Sequence, residues 1–271
     1  MIKARSRRET IAKLVDECAT VNIPDLVERF KVTDTSIRHD LSVLEGAGRL
    51  RRVRGGAMSR GAGLMNAAYA ARARKNQAEK RRIGRVAAGL VRAGDVVLFD
   101  SGSTATEVAV HIPPALRSGN AIKIVTAALP IIQEVGRWEQ VDLVTLGGLY
   151  LADYQQSVGP PVLNQLRDLR ANLVFLGCDG VTIESGLMTP DFLVAEVSAM
   201  LASVADRVVV VTDSTKLGRS GFTSFLPIRA VNVLVTDDHA DPEFIKELKS
   251  LGIEVLLAGE PPVSQLWSGP L

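Results

Sequence analysis

The residues with the clearest chemistry in this sequence follow apolar runs and are mostly small or polar. In FDSGSTATE, residues 99–107, an apolar stretch ends at Asp100 and a helix is predicted to begin near Thr104. Gly102 permits close backbone approach. The N–H groups of Ser103, Thr104 and Ala105 would sit at the positive end of a helix dipole, a geometry that suits a phosphate. The same residues support a plainer reading. Thr104 and Glu107 also spell a capping box, so a phosphate loop and an ordinary helix start are equally compatible with the local sequence. Gly-Lys-Ser/Thr is absent, so this is not a nucleotide P-loop.

Four further strand ends carry candidate groups. Thr126 closes IKIVT, and Gly147 and Gly148 follow VDLVTL. Asp179 stands between two glycines in GCDG, and TDSTKLG supplies Asp213 and Lys216. Singly, each is more often a surface turn than a site. Together they offer a phosphate loop, acids and a cation, which is enough to hold a phosphorylated polyol. Lys216 would pair with phosphate or with Asp179, while Asp100 and Asp179 would accept from sugar hydroxyls. The two cysteines have no metal-ligand spacing: Cys18 and Cys178 are far apart and read as reduced thiols, and no metal site is expected. No cofactor is expected.

A second constellation lies near the amino terminus. Helical periodicity is predicted over about Arg7–Glu17, over Ile23–Phe30 with Pro24 in its first turn, and from Thr33 onward. Thr33 is a candidate N-cap, Asp34 suits the dipole, and Gly48 stands where a left-handed C-terminal residue is wanted. Ile37, Leu41 and Leu44 form one buried stripe. Thr35, Arg38, His39 and Ser42 fall opposite it, and Asp40 falls on the flank as a structural residue. Two helices joined by a short turn, with a polar outer face on the second, form the helix-turn-helix arrangement that enters a major groove. GRLRRVRGGA then reads as a short basic hairpin, a wing ending in Gly55-Gly56. It would lay Arg49, Arg51, Arg52 and Arg54 along a phosphate backbone.

Charge supports this division. Residues 1–82 hold 19 Lys or Arg against 9 Asp or Glu, whereas the whole chain nets only +2. A basic head on an acidic body points to a polyanion bound by the head alone. Aromatic residues make up 4% of the chain, too few for a stacking groove, which disfavours RNA as the partner. Hydrophobic residues at 46% allow a sizeable core, and neither a secretory leader nor a membrane span is apparent, so a cytoplasmic protein is expected.

The elements that must position the second set of residues alternate. Strands are predicted at 96–100, 122–126, 141–146, 173–177, 208–213, 231–236 and 253–258, with helical stretches between them. Continuous apolar, β-branched runs suit strands buried on both faces, hence a largely parallel sheet whose ligands bind at the strands' carboxyl ends. The expected organisation is a winged helix-turn-helix domain (1–60), a linker or transition (61–80), a Rossmann-like α/β domain (81–258) and a tail (259–271).

SIRHDLSVLEGAGRLRRVRGGA resembles the DNA-binding signature of the DeoR family of bacterial transcriptional regulators. Ser36-Ile37-Arg38, Asp40-Leu41, Leu44-Glu45, Gly48, Arg52 and Gly55-Gly56-Ala57 match that pattern, which adds Ser36 to the implied DNA contacts. His39 departs from the family's usual second arginine. The resemblance extends through DSGST, TLGG, GCDG, Glu196 and DSTKLG, although Thr126-Ala127 stands where the family often has Thr-Asn. Glu196 reads alternatively as a buried structural acid. The resemblance implies a sensor domain similar to ribose-5-phosphate isomerase and coenzyme A transferases. It also implies a sugar-phosphate effector, a double-stranded operator, no membrane partner and a homo-oligomer of two or more copies.

The reading that joins both constellations is a non-enzymatic regulator of carbohydrate genes, most often a repressor in this family, controlled by a phosphorylated sugar. The alternative is a sugar-phosphate isomerase-like enzyme, with Asp100 or Asp179 as general base and Lys216 stabilising charge. The head discriminates between them, because an isomerase has no use for a wing of four arginines.

Overall fold

A computed structural model describes residues 4–18, 20–53, 55–58 and 67–259. Arg54, residues 61–66 of the expected linker and the tail from 260 onward lie outside the described residues. The chain divides into two compact units, Met1–Ala70 and Ala71–Leu271.

The first unit contains α1 (Ala4–Cys18), β1 (Thr20–Asn22), α2 (Ile23–Phe30), α3 (Asp34–Gly46), β2 (Arg51–Val53) and β3 (Gly56–Met58). Asn22 caps α2 by accepting from the Asp25 N–H at 2.8 Å, and Pro24 occupies its first turn. Lys31, in the left-handed region at φ 53°, ends the helix. Thr33 then caps α3, accepting from the Ser36 N–H at 3.3 Å. Ile11, Val15, Leu26, Ile37, Leu41, Leu44 and Leu50 close one small core.

The wing differs from its predicted form. It does not end at the paired glycines: Gly55 turns the chain at φ 84°, and Gly56 begins β3. β3 lies between β2 and the unforeseen β1, all antiparallel. A Cβ on Gly56 would lie 2.0 Å from the Val21 carbonyl oxygen, so this close approach requires glycine. Asp40 is buried, accepting from Arg7 at 2.5 Å and Arg8 at 3.0 Å. Two of the head's cations are thereby committed inside the fold.

The second unit is built on a seven-stranded sheet. Helix α4 (Ala67–Arg74) crosses the unit boundary and α5 (Gln77–Ala88) follows. Next come β4 (Val96–Phe99), α6 (Ser103–His111), β5 (Lys123–Thr126), α7 (Leu129–Val135) and β6 (Asp142–Thr145). A hairpin, β7 (Leu149–Leu151) and β8 (Gln156–Val158), precedes α8 (Pro160–Leu166) and β9 (Ala171–Leu176). The chain continues through β10 (Gly180–Thr182), β11 (Gly186–Thr189), α9 (Phe192–Ser203) and β12 (Ala205–Val211). It finishes with β13 (Thr223–Leu226), β14 (Val233–Asp237), α10 (Pro242–Ser250) and β15 (Glu254–Ala258).

The large sheet has the order β15-β14-β12-β9-β4-β5-β6, with every pair parallel. Its seven strands are the seven apolar runs seen in the sequence. Alternate residues feed two cores, as the pleat requires. Val97, Phe99, Phe175 and Val209 pack with Ile83 of α5, Val108 of α6 and Ile131 of α7. Leu98, Val174, Leu176 and Val210 pack on the other face with α8, α9 and α10 through Val162, Val197 and Leu248. Phe99 and Phe175 stack at 5.2 Å and tie the two central strands. The five short strands were not anticipated. They form antiparallel pairs of three or four residues, too brief to show a periodicity.

Candidate functional site

From β4 the chain moves outward to β5 and β6, then returns to β9 on β4's other side and proceeds outward to β12, β14 and β15. The strand order therefore reverses between β4 and β9, which opens a crevice beyond their carboxyl ends. Asp100-Ser101-Gly102 leaves β4 and Gly177-Cys178-Asp179 leaves β9 at that point. The Asp100 N–H bonds the Phe175 carbonyl at 3.0 Å, and a Cβ on Gly177 would lie 3.0 Å from the Ser101 carbonyl oxygen. The two strand ends are thus locked together beneath a cleft of about 90 Å³.

Of the strand-end candidates, the cleft brings together Asp100, Gly102, Ser103, Thr104, Asp179, Asp213 and Lys216. The N-cap of α6 is Gly102 at φ 123°, with no side-chain capping bond. The predicted Thr104–Glu107 capping box is not formed. Thr104 is already inside the helix, and Glu107 turns instead to His111, 3.7 Å away. With no side chain over it, the start of α6 faces the cleft.

The other three candidates do not line the cleft. Thr126 is wholly buried, donating to the Phe99 carbonyl at 2.9 Å and accepting from the Ala128 N–H at 3.0 Å. It fastens β5 to β4. Gly147 exchanges hydrogen bonds with the Gln165 side chain. Gly148 packs so closely that a Cβ would sit 2.5 Å from the Val158 carbonyl oxygen. Glu196 is exposed rather than buried, and it is Ser198, two residues on, that reaches the cleft.

Asp100 is the electrostatic focus of the cleft. It is 3% exposed, and Oδ2 accepts from the Ser198 hydroxyl at 2.8 Å. Oδ1 is buried with no well-formed hydrogen bond, although the Ser101 and Gly177 N–H groups lie near the carboxyl. Burial pushes this carboxyl up to about 7; the Ser198 bond opposes the shift and Asp179 adds to it. Asp179 is held between Lys216 Nζ at 3.4 Å and the Thr189 hydroxyl at 3.2 Å. Tyr154 also lines the cleft. Asp213 is buried, and accepts from Asn76 Nδ2 at 2.9 Å and the Thr215 N–H at 3.2 Å. Cys178 is partly exposed as a residue, yet burial of its thiol pushes it up to about 12, so it is inert toward nucleophilic chemistry.

Sequence reasoning missed the cleft's other cations, Arg72, Lys75 and Lys80. All three lie in ARARKNQAEK, within the stretch expected to be a linker or transition. The Arg72 guanidinium sits 5.0 Å over the Tyr154 ring and donates to the Asp153 carbonyl. Counting Lys216, four cations face three carboxylates, one of which is uncharged below about pH 7. Outside the cleft, Asp237, Asp238 and His239 have spacing compatible with a metal. Asp237, however, is already committed to the N–H groups of Ser214 at 2.8 Å and His239 at 3.1 Å.

In the first unit, Thr35, Arg38, His39 and Ser42 are exposed along one face of α3. Ser36 is half-buried, because its hydroxyl and N–H both engage Thr33. Arg38 pairs with Asp34 one turn earlier, which pre-orients the guanidinium on that face. Arg49, Arg51 and Arg52 are exposed, and the Arg52 N–H is held by the Glu45 carboxylate at 2.7 Å.

A winged helix-turn-helix unit joined to a parallel α/β unit defines a DNA-binding regulator rather than an enzyme. The model of the DeoR-like helix-turn-helix domain matches residues 7–61, and that of the DeoR C terminal sensor domain matches residues 75–238. The chain belongs to the DeoR family. It is 32% identical over 234 residues to the transcriptional repressor AccR of Agrobacterium fabrum, covering 86% of this chain and 89% of the relative. It is 29% identical over 248 residues to the lactose phosphotransferase system repressor of Streptococcus mutans, covering 90% and 96%. A ribose 5-phosphate isomerase from Methanocaldococcus jannaschii overlays 52% of this chain and 55% of its own at 18% identity and a TM-score of 0.38. Among the described residues, no helix is long and apolar enough to cross a membrane.

Proposed function

We propose that this protein is a repressor of carbohydrate-metabolism genes whose operator affinity is set by a phosphorylated sugar bound in the cleft. The observation that carries the reading is the Asp100 carboxylate. It is buried at the mouth of an uncapped helix and keeps Oδ1 without a good donor, facing a cleft ringed by four cations. A buried acceptor left this way costs about 1–3 kcal/mol, and a ligand hydroxyl would remove that cost. In this reading the phosphate sits at Gly102, Ser103 and Thr104, and sugar hydroxyls donate to Asp100 and Asp179. Lys216 supplies positive charge beside them.

The head is assigned to duplex DNA. Thr35, Arg38, His39 and Ser42 meet base edges, with Ser36 at the helix start, and Arg49, Arg51, Arg52 and Arg54 track phosphates. A palindromic operator requires at least two copies of the chain. The effector alters transcription only by binding two states of the protein unequally. The names of the relatives, among them a lactose phosphotransferase system repressor, support a sugar-linked role.

Fluorescence anisotropy of a labelled operator at fixed salt, titrated with a panel of sugar phosphates, tests the proposal. At least one compound is expected to change operator affinity tenfold or more. An isomerase assay on the same panel should show no turnover. Turnover without any operator preference would refute the reading.

A further inference from the structure

Lys80 is 6% exposed, lines the cleft, and has no carboxylate within 4.0 Å among the described residues. Its ammonium donates instead to two backbone carbonyls, Arg72 O at 2.5 Å and Lys75 O at 2.7 Å. These carbonyls lie at the end of α4, where a helix has no further N–H groups of its own to offer. Many helices finish on a left-handed residue, usually glycine. Here Asn76 takes the left-handed conformation at φ 53°, and a lysine from the next helix reaches back to cover the carbonyls. Burial lowers the pKa of this ammonium; Asp213 opposes the shift at a distance, and Lys216, Lys75 and Arg72 reinforce it. A buried cation without a direct counterion is costly unless something supplies the charge. Two of its three protons are committed, which leaves one for a ligand.

The chain passes from one unit to the other within α4: Ala70 closes the first and Ala71 opens the second. Whatever fixes its last turn therefore acts on the covalent path between them. Resting on the reading of the cleft as a ligand site, we infer that Lys80 is both an anion ligand of the cleft and the residue that couples its occupancy to α4. An anion that accepts the third proton supplies the missing charge and strengthens the two bonds holding α4. The recognised chemistry is a phosphate-sized anion, whether free or carried on a sugar.

Hydrogen exchange on the full chain, with and without inorganic phosphate or D-ribose 5-phosphate, tests this. Binding is followed by calorimetry and operator affinity by anisotropy. In the wild-type protein, amides in the last turn of α4 should exchange at least tenfold more slowly when the probe is bound. In Lys80→Met, probe affinity should fall at least tenfold, and the remaining binding should no longer protect α4 or shift operator affinity. If Lys80 only caps the helix, Lys80→Met will speed α4 exchange without changing probe affinity or the operator response, which overturns the inference. If the probe binds wild-type protein and shifts operator affinity while α4 exchange stays constant, the coupling role fails and the ligand site stands. If neither probe binds wild-type protein, the ligand-site reading fails and the inference fails with it. The wild-type exchange measurement decides the coupling even if Lys80→Met does not fold.

Discussion

Asp100→Asn is the most informative single change in the second unit. In the native protein this carboxyl titrates near pH 7, against 3.8 for an unperturbed aspartate. Each tenfold in proton affinity is worth about 1.4 kcal/mol, so ionised Asp100 costs the native state roughly 4 kcal/mol. The sign follows from proton counts. Between these two values the native state holds the proton and the unfolded chain does not. Stability therefore falls as pH rises through that window and levels off above about pH 8. Asparagine keeps the shape and can still accept from Ser198, but it cannot ionise. It places an amide N–H group where Oδ1 lacks a good partner, at a cost of about 1–3 kcal/mol. The variant should thus lie within about 2 kcal/mol of wild type at pH 5 and be more stable by roughly 1–3 kcal/mol at pH 8. Other titrating groups largely cancel in the difference. Urea unfolding followed by Trp138 fluorescence, in a Trp267→Phe background, isolates the second unit because the first contains no tryptophan. The difference between variant and wild type should grow by roughly 3 kcal/mol from pH 5 to pH 8. A difference that changes by less than about 1 kcal/mol over that range would refute the reasoning, because Asp100 would then not be desolvated. A more stable variant that no longer responds to effector would mark Asp100 as a position where stability is sacrificed for binding.

Asp40→Ala leaves Arg7 buried without its carboxylate and should destabilise the first unit by about 3–5 kcal/mol, seen as an early thermal transition in far-UV circular dichroism; an unchanged melt would show that the pair is dispensable. Arg38→Ala should leave folding intact but lower operator preference over random DNA by roughly tenfold or more; equal losses on both DNAs in anisotropy would make Arg38 a phosphate contact. Lys216→Ala should retain operator binding and lose the effector response, and a normal response would remove Lys216 from the ligand site. Gly84→Ala drives a methyl to 2.6 Å from the Glu107 backbone, where α5 crosses α6; it should cost about 1–3 kcal/mol in urea unfolding and weaken effector binding through a shifted α6, whereas a neutral result would mean that the two helices are free to part.

The local features written in consecutive residues were legible. Seven apolar runs became the seven parallel strands because a strand buried on both faces must be apolar throughout. Thr33, Pro24 and Gly48 marked helix ends because capping depends on the residue types at fixed offsets. The exposed face of α3 followed from one three-residue stripe. What could not be read was which loops converge. Asp100 and Asp179 were singled out together with Thr126, Gly147 and Gly148, yet only the first two share the cleft. The order β9-β4-β5 places the reversal of the sheet beside β4 and β9, and strand order is not written in any strand. Arg72, Lys75 and Lys80 looked like a solvated linker because charge at helical spacing usually is one. Only long-range packing turned Lys80 inward, and Ser198 likewise reached Asp100 across 98 residues. Periodicity and capping are set by neighbours along the chain. Desolvation and convergence of charge are set by neighbours in space, and these exist only once the sheet has closed.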